Sequence, residues 1–259
     1  MSKLSYNPKF NGSVKVIEVS PNTLDSDYKL LRHHYSNGDI ILIDNFKFDI
    51  DYSLFDFQSL KATTDKSVKK PKTKQALFNL KNKGEAEVMR IRDAMGVCKT
   101  RIQGLFEKMF PEVTTLGDLS TWRFTRTNTE DYHLDIYDDK DVTFRAFYNL
   151  STTPRVWGFG HGLKDCLVAL DIKKEDLRSY KKEGALSPLL NRKISLWLDT
   201  QERHTAEFGQ HSLWMCDSLK VGHQVVSGDK MAAFSFRAPI EDFGSDPVVY
   251  RNSVNQSLC

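Results

Sequence analysis

From Ser120 onward the chain is written in short apolar-polar runs: STWRFTR, YHLDIY, VTFRAFYNL, RVWGFG, SLWMC, VGHQVV and MAAFSFRAP. Runs of this length, alternating with period two and broken by turn residues, bury one face each and predict a β-barrel or sandwich. EDLRSYKKEG and LLNRKISLWLDT interrupt them with helical character around Pro188. The β core is therefore expected in two halves with a helical insertion between them.

The region before Ser120 reads differently. Asp39-Ile40-Ile41-Leu42-Ile43-Asp44 is a short buried strand bounded by Gly38 and Asn45. Val88, Ile91, Met95, Cys98, Ile102, Leu105 and Met109 alternate steps of three and four, the stripe of one long amphipathic helix that Pro111 helps to stop. Such a stripe is expected to pack on the outside of a sheet. The segment KSVKKPKTK, with five lysines around Pro71, reads as a solvated loop.

A chain of 259 residues can bury a substantial core as one α+β domain. Its parts are helical and strand support over 1–119, the β core with its insertion (about 164–205) over 120–237, and a tail over 238–259. The formal charge of +3, from 37 basic and 34 acidic side chains, is too small an excess to indicate nucleic acid. A small anionic substrate is the partner it allows. The start MSKLSYNPKF has no apolar leader and no stretch has the length of a membrane span, so a soluble, cytoplasmic monomer or homodimer is expected. Cys98, Cys166, Cys216 and Cys259 form no C-x-x-C pair and read as reduced thiols.

His133 and Asp135 flank Leu134 in an expected strand, so both side chains leave the same face. With a distant second histidine they make the two-histidine, one-carboxylate triad that holds non-haem iron(II) with open positions. His223 is the preferred partner because it leads into the Ser227-Gly228-Asp229 turn and the strand carrying Arg237; His211 is the rival. If that turn closes a hairpin, His223 faces Phe234 and Arg237 lies roughly 10 Å along the ladder. A planar, permanently charged guanidinium at that distance suits the far carboxylate of a 2-oxoglutarate chelated to the metal. Ser235 is grouped with Arg237, Asn149 with Arg145 as a polar pair on one strand face, and Trp157 is read as a wall of the co-substrate pocket or a core residue. Arg145 could instead brace the fold through a carboxylate such as Asp131 or Asp138. Arg123, Arg126, Arg145 and Arg155 are candidates for an anionic substrate. A zinc hydrolase could use the same three ligands, but zinc chemistry leaves Arg237 without a task.

In order, TWRFTRTNTEDYHLDIY, FRAFYNL, PRVWGFG and SLWMCDSLKVGHQVVSG resemble the motifs of the Kdo 3-hydroxylases, bacterial oxygenases acting on 3-deoxy-D-manno-octulosonic acid. The Trp-Arg before H-x-D, the Arg-x-Phe-x-Asn after it and the Pro-Arg-Val-Trp are the most specific matches, within residues 120–162 and 211–237. The resemblance implies a double-stranded β-helix (jelly-roll or cupin-like) core and a dioxygenase using Fe(II), 2-oxoglutarate and O2. It implies His133, Asp135 and His223 as ligands, Arg237 as co-substrate anchor, and release of succinate and CO2. A carboxylate at Asp135 favours hydroxylation, desaturation or ring closure over halogenation. Hydroxylation of a Kdo-like sugar acid is the first reading. Oxidation or kainoid-type cyclisation of an amino-acid-derived metabolite is the second, and a non-catalytic β-helix binding module the non-enzyme alternative.

Overall fold

The computed structural model describes residues 1–8, 12–57, 83–113, 116–124, 131–135, 141–172, 188–239 and 242. Two sheets face each other. The larger holds β2 (Val16–Glu18), β3 (Ile40–Ile43), β9 (Leu213–Met215), β6 (Asp141–Asn149), β11 (Met231–Pro239) and β4 (Gly117–Asp118) in that order, with β5 (Thr121–Arg123) also pairing β11. The smaller runs β1 (Lys3–Ser5), β8 (His204–Phe208), β7 (Arg155–Gly162), β10 (Val221–Ser227). All pairings are antiparallel except β2 with β3.

Alternation along the strands decides what each face meets. Phe144, Ala146 and Tyr148 of β6, Leu213 and Met215 of β9, and Phe234 and Phe236 of β11 pack on one side with the helix α3 (Glu85–Met109) through Ile102, Leu105 and Phe106. Phe147, Trp214, Met231 and Ala233 point the other way, against Trp157, Phe159, Ala206, Phe208, Val221 and Val225 of the smaller sheet. Strand β3 shows the same division, with Ile41 and Ile43 on the helix side and Ile40 and Leu42 inward. The larger sheet is thus covered twice, which is why its strands are apolar on both faces.

Before β3 come the short helix α1 (Thr23–Ser26) and α2 (Tyr28–Asn37); α2 starts where the Asp27 carboxylate accepts from Leu30 N and stops at Gly38, φ +81°. His33 and His34 lie inside α2. A 3-10 turn at Tyr52–Phe55 is held by Lys230, whose buried ammonium donates to the carbonyls of Phe55 and Phe57 at 2.7 and 2.9 Å. Between β7 and β8 stand α4 (Leu163–Ala169) and α5 (Pro188–Asp199). They pack through Leu163, Cys166, Leu167, Ile194 and Leu198 on Tyr132 and Leu134, behind the H-x-D segment. The lysine-rich segment, EDLRSYKKEG and nearly all of the tail lie outside the described residues. Among the described residues no helix is long and apolar enough to cross a membrane.

Three expectations are corrected. The Ser227–Lys230 turn does not close a hairpin: β10 pairs β7 while β11 pairs β6, so the chain passes from one sheet to the other. Both strands carry apolar inward residues, and burying them against each other across the sandwich satisfies more surface than pairing edge to edge. Of YHLDIY only residues 132–135 are described, and they carry a single antiparallel bridge at His133 in place of a strand. The insertion, expected over about 164–205, gives way to the strand β8 from His204 onward, with His204, Ala206 and Phe208 buried.

Glycines give a direct test of this packing. A Cβ on Gly222 would press on the backbone carbonyl oxygen of His161, whereas one on Gly104, in the C-terminal third of α3, would meet nothing within 4 Å among the described residues. Gly222→Ala is expected to cost about 1–3 kcal/mol, and Gly104→Ala to add about 0.5–1 kcal/mol. Urea unfolding of both variants checks the opposite signs.

Candidate metal centre

The bridge between His133 and His223 is a reciprocal pair of backbone hydrogen bonds, His133 N to His223 O at 3.0 Å and His223 N to His133 O at 2.9 Å. It puts two residues remote in sequence side by side, with ring centroids 4.7 Å apart. Asp135 N donates to Ser218 O at 2.9 Å, fixing the segment a second time. Alternation does the rest: Tyr132 and Leu134 enter the apolar cluster under α4 and α5, and His133 and Asp135 face the opposite way.

The result is a cluster of one nitrogen from each histidine and one Asp135 oxygen, all within 4.8 Å of one another. His133 Nε2 lies 3.8 Å from Asp135 Oδ1, and His223 Nε2 lies 3.7 Å from Asp135 Oδ2. Each imidazole is oriented from behind, with Nδ1 2.6 Å from Asp131 O in one and 3.0 Å from Val221 O in the other. A carbonyl can only accept, so each Nδ1 carries the hydrogen and each Nε2 turns a lone pair toward the carboxylate. Burial pushes the His223 imidazole below its ordinary pKa, against the opposing pull of Asp135, which keeps that lone pair available at neutral pH. Trp157 stacks on His223 at 4.9 Å and 22°, closing one side. Two neutral nitrogens and a carboxylate, preoriented in this way, fit a divalent transition metal with open positions.

Arg145 reaches Asp135 from the larger sheet, Nη1 to Oδ2 at 2.7 Å. The carboxylate it meets is therefore Asp135 rather than Asp131 or Asp138. Arg145 stands opposite Ser235, and the next inward position on β11 is Arg237, opposite Thr143. Thr143, Arg145, Ser235 and Arg237 thus project from one face, at the end of the sandwich that holds the ligands. Thr143 is buried, and among the described residues its Oγ1 has no hydrogen-bond partner. No motif marked it; its two-residue step from Arg145 was the available signal.

Other expected residues are not brought there. Asn149 lies four residues along β6 from Arg145, about 13 Å at strand rise. Its amide donates to Thr153 O and Phe208 O and accepts from Ser151 N, so it ties down the β6–β7 turn instead of lining a co-substrate pocket. Arg155 is 1% exposed beside Gly228, four residues along β7 from Phe159, the residue opposite His223. A side chain packed there cannot meet a substrate at the ligands. Arg123 pairs with Met231, at the far end of β11 from Arg237. Arg126 lies outside the described residues.

The remaining histidines have other partners. His211, in the left-handed region at φ +63°, places Nδ1 2.8 Å from Tyr148 Oη and its ring 4.5 Å from Tyr52, on the helix side of the larger sheet. His204 Nδ1 accepts from Asn7 N at 2.9 Å. His161 belongs to β7 and meets Trp197 edge-on at 4.9 Å.

No protein-family model matches this sequence, and no curated protein matches it either. Solved structures do. The Kdo hydroxylase KdoO, a non-heme Fe(II) alphaketoglutarate dependent dioxygenase in complex with cobalt(II), aligns over 88% of this chain and 90% of that one, with TM-score 0.64 and 12% identity. The chain shares that fold. Its complex with alphaketoglutarate and Fe(III) aligns at TM-score 0.61 and 11% identity, and the complex with succinate and Fe(III) at 0.59 and 12%, over the same shares of both chains. At this identity the likeness is one of backbone architecture, and chemistry has to be argued from the site.

Two measurements follow from the geometry. His223→Ala is expected to abolish stoichiometric Mn(II) or Co(II) binding, and His211→Ala to leave it intact, by equilibrium dialysis with metal analysis. Burial holds His161, His204, His211 and His223 below their ordinary pKa. The unfolded chain takes up those protons near pH ~6.5 and the folded chain only at lower pH, so stability is full above ~6.5 and falls as pH drops below it. Urea midpoints of the metal-free protein at pH 7.5 and 5.5 should show that loss.

Proposed function

We propose that the chain is an iron(II)- and 2-oxoglutarate-dependent dioxygenase whose two facing sheets form a double-stranded β-helix. The observation that carries this reading is the His133–Asp135–His223 cluster, with both imidazoles anchored through Nδ1. It is supported by a fold shared with an enzyme whose complexes hold a metal, alphaketoglutarate and succinate.

Iron(II) bound with 2-oxoglutarate and O2 supplies an oxidant for an unactivated C–H bond, releasing succinate and CO2. The chain's own part is placement. His133, Asp135 and His223 would hold the metal and leave coordination positions for co-substrate and oxygen. Arg237, inward on β11 beyond Ser235, offers a two-pronged donor for the far carboxylate of the co-substrate, and the Thr143 hydroxyl opposite it has hydrogen-bonding capacity to give. Ser235, on the same face and opposite Arg145, lines the space between. Trp157 walls the ligand side and keeps water from His223.

For substrate we infer a small carboxylate-bearing metabolite, with hydroxylation of a Kdo-like sugar acid as the first case to try. The motifs that resemble those of the Kdo 3-hydroxylases include the H-x-D segment, β6, β7 and β10, which carry the ligands, Arg145 and Trp157, and the fold neighbour is itself a Kdo hydroxylase.

Anaerobic titration with iron(II) and then 2-oxoglutarate tests the reading. Wild type is expected to develop the weak visible metal-to-ligand charge-transfer band of a chelated keto acid, and Asp135→Ala to lack it. Arg237→Ala should still show the band but need about tenfold or more 2-oxoglutarate, since a charge-assisted bidentate contact contributes about 1.5–3 kcal/mol. No band in wild type would sink the oxygenase assignment; an unshifted Arg237→Ala titration would sink that residue's role.

A further inference from the structure

The ion pair between Arg145 and Asp135 is not explained by stability alone. Both side chains are about one-fifth exposed, and Nη1 to Oδ2 is 2.7 Å. The carboxylate is the only anionic member of the three-residue cluster, so the positive charge sits on the group a cation needs most. The two partners also come from opposite sheets: Arg145 from β6, Asp135 from the segment bridged to β10.

We propose that Arg145 is an exchangeable counter-ion that couples cation binding to co-substrate binding. Resting on the oxygenase reading, the inference adds a residue role and a linkage to it. With neither ligand present, Arg145 neutralises Asp135. A dication sharing that carboxylate is opposed at short range by the guanidinium, so cation alone binds against a like charge. An anionic co-substrate arriving at the same end gives the guanidinium another carboxylate to pair with. Arg145 is placed for the exchange, because it projects from the same inner face as Arg237, diagonally across neighbouring strands. The two arginines then divide a dianion between them, and Asp135 is released wholly to the metal. Each ligand tightens the other by the same factor, because the coupling is a property of the pair.

A brace would behave differently. If Arg145 merely held Asp135 in position, its loss would weaken the cation equally with and without co-substrate. If it merely bound the co-substrate, its loss would weaken 2-oxoglutarate equally with and without cation. In both cases the ratio of affinities is unchanged.

The test is the dissociation constant of Mn(II), from the electron paramagnetic resonance signal of the unbound ion, with and without saturating 2-oxoglutarate. Wild type should bind Mn(II) more tightly with 2-oxoglutarate. R145Q and R145M should lower that enhancement by about tenfold, in the usual range of coupling between sites. R145K keeps the charge and should keep most of the enhancement. R145M retains an unbranched stem on the same strand position, so either neutral variant suffices if the other does not fold. An enhancement unchanged in the neutral variants, with wild type binding both ligands, would overturn the counter-ion role and leave the oxygenase reading standing. Failure of wild type to bind Mn(II) would overturn both.

Discussion

The larger sheet has to be covered on both faces, and much of the molecule is arranged around that requirement. Phe144, Tyr148, Phe234 and Phe236 on one side need α3, while Phe147, Trp214, Met231 and Ala233 on the other need the smaller sheet. Burying an aromatic or aliphatic side chain contributes about 1.5–3 kcal/mol, so leaving either face wet would forfeit more than a domain's net stability. The strand connections obey the same demand. Moving from β10 to β11 takes the chain from one sheet to the other, and it is this passage that sets His223 and Arg237 on facing walls.

The site forms where the inward face changes character. Along β6 and β11 the inward residues in the middle are Phe147 and Ala233, and toward one end they become Arg145, Thr143, Ser235 and Arg237. Facing that end is the H-x-D segment, held by the reciprocal backbone bonds of His133 with His223 and by Asp135 N to Ser218 O. Among the described residues α4 and α5 add no ligand; they bury Tyr132 and Leu134 and so hold the alternate residues His133 and Asp135 in the opposite direction. Packing chemistry behind the segment thereby fixes coordination chemistry in front of it.

How much of this was legible in the sequence depends on the range of the interaction responsible. Period-two alternation is local, so the common face of His133 and Asp135 and the strand β6 could be read directly; the three-four stripe from Val88 to Met109 likewise lies wholly within α3. Strand partnership is not local. VGHQVV and MAAFSFRAP, joined by Ser-Gly-Asp, have the pattern of a hairpin, and only the apolar faces of the rest of the fold draw them into different sheets. Asn149 illustrates the converse error: it shares an inward face with Arg145 by alternation, yet its amide is consumed by the carbonyls of Thr153 and Phe208 and the amide of Ser151, which no spacing rule reveals. His204 is similar, since HTAEF becomes a strand only through its ladders to β7 and β1.

Charge is the property that ties these observations to chemistry. A centre of two imidazoles and one carboxylate is a weak cation site by charge count alone, and an arginine on that carboxylate weakens it further. If stability were the only consideration, the pair would be a poor investment: partly exposed ion pairs contribute about 0–1 kcal/mol, and the same position could carry an apolar residue facing Phe147. The arrangement becomes intelligible once the site is considered with an anion in it. Arg145 and Arg237 then match the two charges of a dicarboxylate while Asp135 faces the cation, so the net formal charge of the set is the same with both ligands bound as with neither and departs from it when either binds alone. On the proposed counter-ion role, the charges around Asp135 favour joint occupancy over either ligand alone.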